Sequence, residues 1–132
     1  MKLLLDTHIL LWSAADKLPP NAETYVLNES NELYFSPVSL WEIAIKNRLN
    51  RADFNVDVHA LYSGLLNGGY VEVPISTRHA LAVENLPDIH KDPFDRMLIS
   101  QAVVEGMKIV TADGLVAKYP AAVIFVGTHI VG

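Results

Sequence analysis

The sequence predicts an α/β fold, a parallel sheet covered by helices on both faces, and three observations carry that expectation. Short apolar runs alternate with amphipathic stretches of helical length, the order expected of parallel strands joined by helical crossovers. The runs, above all Leu3-Leu4-Leu5 and Ile109-Val110, are apolar at consecutive positions, as strands shielded on both faces are. The boundaries carry helix caps and breakers, namely Ser36-Pro37, Asp92-Pro93, Gly68-Gly69 and Gly106.

Lys2 to Leu5 reads as the first strand. Thr7 to Ala15 follows at helical spacing, with Ile9, Leu10 and Trp12 apolar, until Pro19-Pro20-Asn21 interrupts it. A second helix starts near Asn21 and runs towards Glu29, and Leu33 to Phe35 is the second strand. Ser36 then caps a helix with Pro37 at its first position, and Val38, Trp41, Ile45 and Leu49 recur at steps of three and four, predicting one buried face. A helix between Val56 and Leu66 turns Val58, Leu61 and Leu65 inward and stops at Gly68-Gly69. Tyr70 to Val73 is the third strand, closed by Pro74, and Thr77 to Leu86 is a short helix ending at Pro87. Asp92-Pro93 opens a helix with Phe94, Met97, Leu98 and Ala102 inward and Gly106 as its stop. Lys108 to Val110 is the fourth strand, Gly114 to Lys118 a helical turn, and Ala122 to Val126 the fifth strand.

A length of 132 residues fits a single domain spanning 1–132. The absence of cysteine excludes a disulfide scaffold, a thiolate zinc site, an iron–sulfur cluster and a cysteine nucleophile. No apolar run approaches the ~20 residues of a membrane span, so the expectation is a cytoplasmic protein with no membrane partner. The 51% hydrophobic content hints at a buried partner surface. The net charge of −5 disfavours binding nucleic acid by counterion release alone. A nucleic-acid role would need a cation between this chain's carboxylates and the phosphates.

In open parallel sheets, ligands bind beyond the carboxyl ends of the strands, where strand order reverses. Asp6 directly follows the first strand, and Thr111 and Asp113 follow the fourth. Ser36 and Ser39 follow the second, with Glu42 on the helix that begins there, and Asp92 and Asp95 sit at the mouth of the Pro93 helix. Each acid has an ordinary role open to it: strand end for Asp6, a solvated pair with Lys46 for Glu42, helix cap for Asp92, dipole partner for Asp95, turn residue for Asp113. Carboxylates gathered in one semi-buried cleft repel, however, and need a shared proton or a cation. Oxygen ligands without cysteine favour Mg²⁺ or Mn²⁺ over zinc, which suits metal-assisted phosphodiester hydrolysis by activated water. The five histidines are scattered. His90 lies near Asp92 and Asp95 and is expected on the surface or as a cap, with substrate contact left open. Lys46, Arg48 and Arg51 form a basic cluster that is either a solvated face or an RNA backbone contact. Trp12, Tyr25, Tyr34, Trp41 and Tyr62 are expected to pack rather than to stack on bases.

Four blocks in series, Leu3-Leu4-Leu5-Asp6-Thr7-His8, Ser36-Pro37-Val38-Ser39-Leu40-Trp41-Glu42-Ile43, Asp92-Pro93-Phe94-Asp95-Arg96-Met97-Leu98-Ile99 and Ile109-Val110-Thr111-Ala112-Asp113, resemble the PIN domain, and more closely the VapC-type toxins of bacterial toxin–antitoxin pairs. The resemblance runs the length of the chain. It implies a metal-dependent endoribonuclease with a three-layer α/β/α sandwich, five parallel strands and strand order 3-2-1-4-5. That order sets the first and fourth strands side by side and brings Asp6 and Asp113 together. The family's catalytic and metal-binding acids correspond to Asp6, Glu42, Asp95 and Asp113, and its hydroxyl beside the fourth acid to Thr111. Asp92 lies in the same motif but is equally a cap, so Asp95 is taken as the metal-facing acid, with Ser39 in support and Arg96 joining Lys46, Arg48 and Arg51 as possible RNA contacts. The resemblance also implies an RNA substrate (tRNA or mRNA), a VapB-type antitoxin whose tail covers the cleft, and a homodimer.

Four other readings compete. A receiver-like signalling domain would want a lysine just after the fifth strand, where Gly127-Thr128-His129 stand. A haloacid-dehalogenase-like phosphatase would want an acid two residues beyond Asp6, at His8. A DNA flap nuclease would carry more acids and further elements. A non-catalytic PIN-fold protein-binding module would keep the fold without the chemistry.

Overall fold

Five short strands pair into one parallel sheet in the computed structural model, which describes residues 1–49 and 54–127. They are β1 (Lys2–Leu5), β2 (Glu32–Phe35), β3 (Val71–Glu72), β4 (Lys108–Thr111) and β5 (Val123–Phe125), in the order β3-β2-β1-β4-β5. Six helices connect and cover them: α1 (Thr7–Ala14), α2 (Pro20–Val26), α3 (Pro37–Arg48), α4 (Val58–Asn67), α5 (Thr77–Ala82) and α6 (Pro93–Glu105). The architecture is the PIN-like α/β fold that the four blocks imply. Receiver-like domains run 2-1-3-4-5, so the strand order removes that alternative.

The central strand shows why both faces must be covered. Leu3 and Leu5 enter one core with Ile9, Leu10, Phe35, Leu61 and Val110, whereas Leu4 enters the other with Val38, Leu98, Ile99 and Ile109. Successive strand side chains point to opposite faces, and all three leucines are fully buried. Each contributes about 1.5–3 kcal/mol by leaving water. The β1–β4 register sets Leu5 opposite Val110, so Asp6 and Thr111 emerge level at the carboxyl rim.

Several boundaries differ from expectation for local reasons. The third strand pairs over Val71–Glu72 alone, shorter than Tyr70 to Val73. The helix expected over Thr77 to Leu86 ends at Ala82 and tightens into a 3₁₀ turn, Val83–Asn85, ahead of Pro87. Of Gly114 to Lys118, only Val116–Lys118 forms a 3₁₀ turn. The largest correction concerns α3. Its buried residues are Val38, Ser39, Glu42 and Ile43, while Trp41, Ile45 and Leu49 are exposed. Trp41 meets Phe94 edge to face at 4.9 Å, yet 59% of it stays exposed. This helix packs against α1, α4 and α6, and its inward face is the mixed set Val38, Ser39, Glu42 and Ile43, so that of the expected stripe only Val38 is buried.

Candidate metal centre

At the carboxyl rim lies a cleft of about 140 Å³ lined by Asp6, Thr7, His8, Glu42, Lys46, His90, Asp92, Asp95 and Asp113. A larger groove of about 620 Å³, between the end of α1 and α4, is lined mostly by apolar residues and by one acid, Asp57. The carboxylates gather in the smaller one.

Asp6 leaves β1 and caps α1. Its backbone N–H donates to Val110 O at 3.1 Å, its Oδ1 accepts the Ile9 N–H at 3.0 Å, and its Oδ2 accepts the Thr111 hydroxyl at 2.5 Å. Burial pushes this carboxyl above the ordinary aspartate range, and the Thr111 and Ile9 hydrogen bonds pull the other way. Thr111 Oγ1 also accepts the Asp113 N–H at 3.0 Å. One buried hydroxyl therefore ties together the acids that follow β1 and β4.

Glu42 reaches the cleft because Ser36 and Pro37 start α3 at the very end of β2. Ser36 Oγ accepts the Val38 N–H at 3.1 Å, and proline fits the first helical position without losing a hydrogen bond. The inward stripe that follows carries Ser39 and Glu42. The Thr7 hydroxyl lies 2.7 Å from Glu42 Oε1 and 3.0 Å from Ser39 Oγ. Lys46 Nζ lies 2.8 Å from Glu42 Oε2. The pair expected in solvent is thus half inside: the Glu42 side chain is 6% exposed and that of Lys46 42%.

Asp92 acts as the cap of α6, its Oδ1 accepting the N–H groups of Phe94 at 2.8 Å and Asp95 at 3.2 Å. Asp95 sits in the first turn with its carboxylate inside the cleft. Desolvation first, then the charges of Asp92, Asp6 and Glu42, hold its carboxyl up at about 7, with His90 opposing. Asp113 accepts the Leu115 N–H at 2.8 Å through Oδ1 and turns Oδ2 inward.

Two residues stand elsewhere than the sequence led us to expect. His90, expected on the surface or as a cap, is partly buried among the acids, with Nε2 2.9 Å from Asp95 Oδ2 and 3.3 Å from Asp113 Oδ2. Its nearness to Asp92 and Asp95 in sequence was the only signal for it. Arg96, expected among RNA contacts, is turned onto the protein itself. Its guanidinium donates to Pro87 O at 2.8 Å, Tyr119 Oη at 3.1 Å, Val83 O at 3.3 Å, and Leu86 O and His90 O at 3.4 Å. Those carbonyls lie between Val83 and His90; Val83 O and Pro87 O also accept the Leu86 and Ile89 N–H groups, and the rigid fork of N–H donors ties the segment to α6. Arg48 is exposed in the last turn of α3, outside the cleft lining, and Arg51 lies outside the described residues.

This donor set fits a divalent cation. His90, Asp95 and Asp113 offer ligand atoms within 4.8 Å of one another, and Asp6 and Glu42 line the same cleft. The crowding that lifts Asp95 is what a cation relieves, and carboxylate oxygens suit Mg²⁺ or Mn²⁺.

A family model described as PIN domain matches residues 3–121. No curated protein sequence matches the chain. Among solved structures it is similar to VapBC2 from Rickettsia felis bound to a DNA fragment from the promoter, at 16% identity and TM-score 0.70, covering 95% of this chain and 98% of that one. DNA-bound VapBC from Salmonella typhimurium matches at 18% identity and TM-score 0.66, covering 95% and 98%. VapBC-5 from Mycobacterium tuberculosis, described as a member of the VapBC family of toxin–antitoxin systems, matches at 15% identity and TM-score 0.60, covering 96% and 98%.

Proposed function

From the premise that the chain belongs to the PIN domain family, we propose that it is a Mg²⁺- or Mn²⁺-dependent endoribonuclease and the toxin of a toxin–antitoxin pair. The observation that carries this reading is the meeting of Asp6, Glu42, Asp95 and Asp113, from four separate parts of the chain, in one cleft. The similar structures described as VapBC complexes support the partner half of it. In this reading the substrate is RNA, tRNA or mRNA, and a VapB-type antitoxin covers the cleft of a homodimer in the cytoplasm. Among the described residues no helix is long and apolar enough to cross a membrane.

A divalent ion bound there would supply Lewis acidity towards water and positive charge towards the phosphodiester oxygens. The chain's own residues would do the rest. Asp6, Asp95, Asp113 and Glu42 would hold the ion, and Asp92 keeps Asp95 in place by fixing the start of α6. Thr111 orients Asp6 and Asp113 from behind, as its two hydrogen bonds allow. Lys46 brings a half-exposed positive charge to the rim where a phosphate would approach, and Arg48, exposed in the last turn of α3, adds to the positive charge of that helix end.

The test is cleavage of RNA by purified protein freed of its partner, with metal titration. Cleavage is expected only with Mg²⁺ or Mn²⁺ and should leave 5′-phosphate ends. Asp6→Asn should reduce it to background with an unchanged circular dichroism spectrum. Unaltered cleavage in excess EDTA, or 2′,3′-cyclic ends, refutes the mechanism. No cleavage of any RNA by metal-loaded wild type favours the non-catalytic binding module.

A further inference from the structure

Among the side chains lining the cleft, His90 has a placement that the proposed chemistry does not use. His90 is held from outside through its backbone: its N–H donates to Tyr119 Oη at 2.7 Å, and its carbonyl accepts from that same hydroxyl at 3.1 Å. The Arg96 guanidinium donates to the carbonyl as well, at 3.4 Å, and to the Tyr119 oxygen at 3.1 Å. Tyr119 is buried, so the clamp is built into the core. At the ring, Nδ1 faces the Asp92 N–H at 3.5 Å. That nitrogen is therefore the acceptor, and the ring proton sits on Nε2. The Nε2–H is hydrogen-bonded to Oδ2 of Asp95, 2.9 Å away, and Oδ2 of Asp113 lies 3.3 Å from the same nitrogen.

These two acids come from different elements, the first turn of α6 and the loop after β4. Between them stands the His90 ring, held by Tyr119, hydrogen-bonded to Asp95 and 3.3 Å from Asp113 Oδ2. We propose that His90 is a positioning residue, which holds the Asp95 carboxylate through its Nε2–H, stands against the Asp113 carboxylate, and so sets the place at which the two acids meet a divalent ion. The inference rests on reading the cleft as a metal site. It differs from ligation by His90 itself for a geometric reason. Ligation through Nε2 would move the ring proton to Nδ1, where the Asp92 N–H already points, and two N–H groups would then face each other. Hydrogen bonds to metal-bound carboxylates are a common way for a protein to orient them, and losing such a partner costs about 10–100-fold in metal affinity.

The experiment is a calorimetric Mn²⁺ titration of wild type, His90→Ala and His90→Gln, joined to electron spin-echo envelope modulation on the Mn²⁺-loaded wild type. His90→Ala is expected to weaken Mn²⁺ binding by about 10–100-fold. His90→Gln, whose amide N–H reaches about as far as Nε2, should recover most of it. The wild-type spectrum should lack the coupling of a directly bonded ¹⁴N. A strong ¹⁴N coupling would make His90 a ligand and overturn the proposal, as would equal affinity in wild type and His90→Ala. The spectrum uses the unaltered protein, so it decides even where a variant fails to fold. If the wild type binds no Mn²⁺ at all, the metal-site reading falls and takes this inference with it, whereas equal affinities would leave that reading standing.

Discussion

Asp95 is the residue on which charge crowding acts most visibly. Its carboxyl is lifted from 3.8 to about 7 by desolvation and by Asp92, Asp6 and Glu42. An acid raised in the folded state stabilises the fold fully below its ordinary value, and that stability is lost as pH rises through the folded value. Without divalent ions, the melting temperature should therefore fall between about pH 4 and pH 7, and the raised Asp6 acts in the same direction. An ion must also displace the Asp95 proton, so Mn²⁺ affinity should weaken below about pH 7, by up to tenfold per unit for one proton. Calorimetry in buffers of different ionisation enthalpy would count the released proton, and a pH-independent affinity would contradict the assignment. At this scale the sequence was readable where chemistry is local. Asp6 and Asp113 directly follow apolar runs, and Asp92 precedes proline. His90 was not readable in this way, because its place depends on the hydroxyl of Tyr119, 29 residues further along.

Among the elements, α6 was the most legible and α3 the least. The signals on α6 are backbone signals: Asp92 caps it, Pro93 begins it, and Gly106 ends it with φ of 68° in the left-handed region. A Cβ at Gly106 would meet nothing within 4 Å, so Gly106→Ala tests conformation alone. It should cost about 1 kcal/mol, as other non-glycine residues in the left-handed region do, and urea denaturation would measure it. On α3, periodicity showed that an apolar stripe exists but not which way it turns. Trp41, Ile45 and Leu49 were expected inside because they are apolar. Ser39 and Glu42 took the interior instead, where Thr7 and Lys46 satisfy the polar atoms that burial would otherwise leave unpaired. Trp41, Ile45 and Leu49 stay outside, while Val38 and Ile43 keep the apolar contacts within. Arg96 was hard to read for a related reason: a basic residue beside a cleft looks free in the sequence, whereas its guanidinium is engaged by the carbonyls of Pro87, Val83, Leu86 and His90.

For the whole molecule, the alternation of strand and helix was open to inspection, while the strand order came only through the resemblance. Composition says nothing about which strand lies beside which, yet that adjacency is what joins Asp6 to Asp113. On the proposed function an ion would bind this junction in the native state and find no comparable site in the unfolded one, so Mg²⁺ should stabilise the whole fold. The gain at 100 times the dissociation constant is about 2.7 kcal/mol, a shift of several degrees for a chain of this size. Differential scanning fluorimetry with Mg²⁺ and EDTA would read it, and Asp6→Asn should lose most of the shift. The hydroxyl bond between Thr111 and Asp6 spans 105 positions of the chain. During synthesis, Thr111 is added 105 positions after Asp6, so a nascent chain holds Asp6 long before the hydroxyl that orients it exists, and the cleft assembles only once that stretch has been made.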